Sequence, residues 1–93
     1  MSVQNKRKGK ITFIWDKQPE AKKVYLAGDF NDWDPQARRM SRVKDRTFRA
    51  TLDLDSGHYE YKFVVDGEWQ SDPDAEGQTV NQYGTLNSVV CVA

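Results

Sequence analysis

Apolar and polar residues alternate with a period of two along most of this chain, in short runs separated by turn residues. In residues 11–15, Ile11, Phe13 and Trp15 fall on one side of an extended backbone, and Thr12 and Ile14 on the other, a pattern that predicts a strand. A second strand is expected over residues 24–27, closed by Gly28 and the turn-rich DFNDWDP. Phe48, Ala50, Leu52 and Leu54 alternate with Arg49, Thr51 and Asp53, and Ser56-Gly57 then turns the chain into a strand carrying Tyr59, Tyr61, Phe63 and Val65. Residues 72–84 read as a polar loop and residues 86–92 as the last strand, while residues 36–43 are the one segment open to a helical turn. Short strands at this spacing predict an all-β fold, an antiparallel β sandwich, with a barrel as second choice. Its expected core is Phe13, Trp15, Val24, Leu26, Phe48, Leu52, Tyr59, Tyr61, Phe63 and Val90.

One turn fixes a register. Asp66-Gly67 suits a two-residue type I′ hairpin, because both central positions need positive φ. Val65 then faces Glu68, Val64 faces Trp69, Phe63 faces Gln70 and Lys62 faces Ser71. Directly opposed residues share a face, so Lys62, Val64, Trp69 and Ser71 lie together, away from the side of Tyr61 and Phe63. A sugar ring has an apolar C–H face and a rim of hydroxyls, so Trp69 could stack on it while Lys62 donates hydrogen bonds. The plainer alternative has Trp69 covering Val64 and Lys62 extended into solvent. Trp33 sits in a loop that alternation cannot place.

Composition narrows the classes. At 93 residues the chain makes one domain, too small for a barrel with a deep cleft, which favours binding over catalysis. Residues 10–93 are expected to form the domain, and residues 1–9 a flexible basic tail. The net charge is zero but segregated: residues 1–50 hold 13 Lys/Arg against 6 Asp/Glu, and residues 51–93 hold 1 against 8. Strands distant in sequence interleave in a sandwich, so this polarity need not survive folding. Cys91 is the only cysteine; it fits a reducing compartment and, inside the apolar run 89–92, a packing role. No stretch resembles a signal peptide or a membrane span, so a cytoplasmic protein with no membrane partner is expected.

Enzyme chemistry finds little support. A glycosidase needs one carboxyl of raised pKa in a cleft, whereas Asp29, Asp32, Asp34, Asp72 and Asp74 lie in turn-like segments. His58 is the only histidine and has no partner for a triad or zinc site. Asp72, Asp74, Glu76 and Gly77 imitate the first half of a calcium loop, but the twelfth position is Tyr83 rather than glutamate. There is no glycine-rich phosphate loop, and Trp69 lies in the acidic half, which argues against nucleic acid. No catalytic residue, metal or cofactor is expected.

The tracts VYLAGDFNDW, HYEYKFVVDGEW and QYGTLNSVV resemble the glycogen-binding domain of the beta subunit of AMP-activated protein kinase, and more broadly carbohydrate-binding module family 48, over residues 11–92. The resemblance implies an immunoglobulin-like, early-set sandwich that binds α-1,4-linked glucans such as glycogen, starch, maltooligosaccharides and cyclodextrin. It implies that Trp33 and Trp69 clamp a curved glucan, that Lys62 bonds sugar hydroxyls, and that Thr85 and Asn87 add polar contacts. Two positions depart from the family pattern: Tyr83 stands where the kinase subunit carries leucine, and Ser88 where a second asparagine is usual. Tyr83 either stacks as a third aromatic or obstructs the groove. The reading is a non-catalytic α-glucan-binding module, freestanding or serving a kinase or glucan-processing enzyme. The alternative is a protein-interaction or regulatory sandwich without sugar binding.

Overall fold

The computed structural model describes residues 3–7 and 9–93, with side chains from Gly9 onward. Two antiparallel sheets pack face to face. The first contains β1 (Val3–Arg7), β2 (Lys10–Trp15), β4 (Ser41–Arg42) and β5 (Phe48–Asp53), in the order β1-β2-β5-β4. The second contains β3 (Val24–Gly28), β6 (Gly57–Val65), β8 (Gly77–Val80) and β9 (Leu86–Val92), in the order β3-β6-β9-β8, with β7 (Glu68–Gln70) also paired to β6. This is the expected all-β sandwich.

The alternation works as expected because one face of each strand must bury its side chains. Phe13, Trp15, Val24, Leu26, Phe48, Tyr61, Phe63 and Val90 are buried, joined by Ile11, Met40, Val65 and Val92. Leu52 and Tyr59 are only partly buried at the margin of this core. Aromatic rings tie the sheets together: Phe13 meets Tyr61 edge-on at 5.0 Å between centroids, and Trp15 meets Phe63 at 5.0 Å. Trp15 Nε1 is buried without a hydrogen-bond partner among the described residues.

A polar knot closes one end of the core. Tyr61 Oη donates to Asp72 Oδ2 at 2.6 Å, Asp72 N donates to Ser88 Oγ at 2.7 Å, and Gln78 Nε2 donates to the Asp72 carbonyl at 2.7 Å. Burial, and then the bond to Asp72, push the Tyr61 phenol far above its ordinary range. Asp72, which a calcium-loop reading would aim at a cation, instead turns its carboxylate inward.

The strand β6 pairs with β3 along one edge and is long enough to serve two partners along the other. Its first half pairs with β9, from Gly57↔Val92 to Tyr61↔Ser88, and its second half with β7. The predicted hairpin register is observed for Val65↔Glu68, Val64↔Trp69 and Phe63↔Gln70. Asp66 and Gly67 have φ of 48° and 87°, as a type I′ turn needs. Asp66 Oδ1 also accepts from the amides of Lys22 and Lys23, at 3.0 and 2.8 Å, which anchors the turn to the chain entering β3.

Several expectations change. Val3–Arg7, within the segment expected as a flexible tail, runs as β1 and pairs with β2 from Val3↔Phe13 to Arg7↔Lys10; the open edge of β2 offers backbone groups that need partners. Residues 36–43 form turns and β4 rather than a helical turn, and the one short 3₁₀ turn is Asp29–Asn31. Strand β8 lies inside the expected polar loop. Cys91 is exposed, because in β9 it alternates with the buried Val90 and Val92. The charge segregation largely survives, since all strands of the second sheet except β3 come from the acidic half.

Candidate functional site

The outer face of the second sheet is built by simple alternation. Along β6 the inward Tyr61 and Phe63 alternate with Glu60, Lys62 and Val64, so the polar and apolar outward positions form a row. Lys62 is only 9% exposed, and its Nζ donates to Thr85 Oγ1 at 3.0 Å. It does not extend into solvent.

From Lys62 a hydrogen-bonded chain runs across the sheet. Thr85 Oγ1 also accepts from Asn81 Nδ2 at 2.7 Å, and Asn81 Nδ2 reaches Asn87 Oδ1 at 2.9 Å. Asn87 Nδ2 donates to Glu60 Oε1 at 2.9 Å. Each amide orientation is thus set by its neighbours, and the floor presents donors and acceptors in fixed directions. Asn81 also organises the 81–84 turn: its Oδ1 accepts from the amides of Tyr83 and Thr85, and its carbonyl from Gly84 N at 3.0 Å. Gly84 has φ of 80°, which favours glycine.

Trp33 approaches from the loop after β3. Gly28, where that loop begins, passes close against β6: a Cβ there would lie 2.5 Å from the Glu60 carbonyl oxygen and 2.8 Å from the Phe30 ring. Asn31 braces the turn, accepting from Gly28 N through Oδ1 and donating to the Leu26 carbonyl. Asp32 and Trp33 then adopt φ of 56° and 59°. The Trp33 and Trp69 rings meet at 6.5 Å between centroids and 39° between planes. A sugar stacked between two rings would need about 3.5–4 Å on each side, so 6.5 Å is too close for jaws. The indoles form an angled platform rather than the clamp that the family resemblance implies.

Together these groups line an open cleft of about 920 Å³. It brings together Trp33, Lys62, Trp69, Tyr83, Thr85 and Asn87, all six of the sequence-derived candidates. Trp69 remains 46% exposed although Val64 beside it is buried, and Tyr83 is 80% exposed at the rim. Ser88 faces the core and takes no part. Glu60 and Asn81 were missed. Glu60 stands two residues before Lys62 and so shares its face, and Asn81 with Gly84 has the first and fourth residues of a β-turn; both signals were readable.

An exposed aromatic platform beside a fixed polar floor, on the open face of a β sandwich, is the arrangement of a carbohydrate-binding module. The chain belongs to the family described as the glycogen recognition site of AMP-activated protein kinase, whose pattern matches residues 10–93. It is 44% identical over 71 residues to 5'-AMP-activated protein kinase subunit beta-1 of Bos taurus, and 42% to that of Homo sapiens, covering 76% of this chain and 25% of each relative. Against the beta-1 sequence of Sus scrofa it is 42% identical and covers 55% of that relative. The chain therefore spans between a quarter and about half of the relatives it matches. The crystal structure of a maltogenic amylase from S. marinus shares the fold, with a TM-score of 0.71 at 22% identity, over 90% of this chain and 13% of that one. The domain is a non-catalytic glycogen-recognition module. Among the described residues no helix is long and apolar enough to cross a membrane.

Proposed function

We propose that the cleft on the second sheet holds an α-1,4-linked glucan, with Trp33 and Trp69 stacking on successive sugar rings. The observation that carries this reading is the 39° angle between the two adjoining indoles: it suits a curved chain, whereas a flat ribbon would favour coplanar rings. Lys62 donates to sugar hydroxyls, and Thr85 and Asn87 exchange hydrogen bonds with them. Tyr83 supplies a third aromatic surface at the rim. Through this site the chain serves as the glycogen-targeting part of a kinase assembly. The exposed thiol of Cys91 supports a reducing, cytoplasmic setting.

Native gels containing glycogen, with isothermal titration of β-cyclodextrin, test the reading. Retarded migration is expected, with dissociation constants from roughly micromolar to millimolar, since an open site buries only part of each sugar. Soluble cello-oligosaccharides should give no heat. Unshifted migration together with no heat from β-cyclodextrin would favour a protein-interaction sandwich instead.

A further inference from the structure

We infer that Asp29 is a positioning residue that fixes the Trp33 ring before any ligand arrives, an inference that rests on the glucan reading of the cleft. Its carboxylate spans two elements. Oδ1 accepts from Trp33 Nε1 at 3.1 Å, and Oδ2 accepts from the backbone N of Glu60 in β6 at 2.8 Å. Glu60 in turn holds Asn87 through Oε1. One side chain therefore ties the aromatic platform to the polar floor.

Trp33 needs such a tie. Two successive non-glycine residues at positive φ are unfavourable, the more so when one is a tryptophan, and they persist only where surrounding bonds hold them. The backbone bond from Trp33 N to the Gly28 carbonyl, 3.0 Å, fixes the Cα but leaves the ring free to turn. The indole N–H lies in the plane of the ring, so a bond through it stops rotation and leaves the π faces open for stacking. An ionised acceptor strengthens the bond, and a ring ordered in advance spares the ligand the cost of ordering it.

The test pairs a spectroscopic reading with a binding cycle. In ¹⁵N-labelled protein, the indole N–H signal that disappears in Trp33→Phe identifies Trp33. In Asp29→Ala that signal should shift and exchange faster with solvent, while the indole of Trp15 in the core stays in place. Asp29→Ala should bind β-cyclodextrin about 5-fold more weakly. In the Trp33→Phe background, which keeps a ring but has no N–H, the same change should alter affinity by less than about 2-fold. An unshifted Trp33 indole in Asp29→Ala would overturn the inference, as would equal losses in the two backgrounds, which would assign the effect to the β6 backbone. Asp29→Asn, which keeps one acceptor oxygen, replaces Asp29→Ala if the alanine variant fails to fold. Should the unaltered protein not bind β-cyclodextrin at all, the glucan reading fails, and the indole signal alone then decides whether Asp29 holds Trp33.

Discussion

At the scale of residues, the glucan reading of the cleft is tested most sharply at Tyr83. It is the most exposed large hydrophobic side chain at the cleft, and its loop is held by Asn81 through bonds to the amides on either side of Gly84. On the proposed reading, a ring on a turn braced in this way serves the glucan as a platform and not as a plug. Tyr83→Ala should therefore weaken maltoheptaose binding, and Tyr83→Leu should largely restore it; tighter binding by both variants in calorimetric titrations would mean that the ring obstructs. Neighbouring Ser88 shows how one direction of alternation changes a role. It stands beside Asn87 where the family usually has a second asparagine, yet it points inward and serves the Asp72 knot.

At the scale of elements, legibility followed how much each segment was constrained by its own residues. The β6–β7 hairpin was readable because Asp66-Gly67 admits few turn types, and a turn type fixes every pair beyond it. Strand β8 was not readable: Gly77, Gln78, Thr79 and Val80 have no apolar stripe, and the strand exists by pairing with β9 through Thr79↔Asn87 and its neighbours. Trp33 was recognisable as a candidate but not placeable, because its position depends on loop geometry and on the close passage of Gly28 past β6. That passage gives a prediction. Gly28→Ala would drive a Cβ into the Glu60 carbonyl, so urea denaturation should show a loss of about 1–3 kcal/mol, and glucan binding should fall with it. A variant as stable as the parent with unchanged binding would show that β3 and β6 have room to separate.

For the whole molecule, the two sheets divide the work. The first contributes the inner wall of the core, and the second presents the cleft while keeping its strands together through the Tyr61–Asp72–Ser88 knot. The knot makes stability sensitive to alkali. Because the folded state raises the Tyr61 pKa, its contribution is fully present below the unfolded value of about 10 and is lost as pH rises beyond it. Denaturant midpoints should therefore hold steady to about pH 9.5 and fall above about pH 10. Tyr61→Phe should flatten part of that fall, at a cost near neutrality of about 1–3 kcal/mol for leaving Asp72 Oδ2 buried without its donor; equal alkaline slopes in both proteins would contradict the role given to the knot.

The central claim, that the angled indoles on the second sheet carry glucan recognition while the third indole belongs to the core, is tested most directly by titrating β-cyclodextrin into the parent, Trp33→Ala, Trp69→Ala and Trp15→Ala with melting curves recorded for each. Losing ~100 Å² of apolar contact at ~25 cal/mol per Å² removes about 2.5 kcal/mol, so Trp33→Ala and Trp69→Ala should each bind roughly 70-fold more weakly and melt as the parent does. Trp15→Ala should instead be destabilised by about 3–5 kcal/mol through the cavity it opens beside Phe63. Parent-like affinity in both cleft variants, or a fully stable Trp15→Ala that no longer binds, would contradict the account.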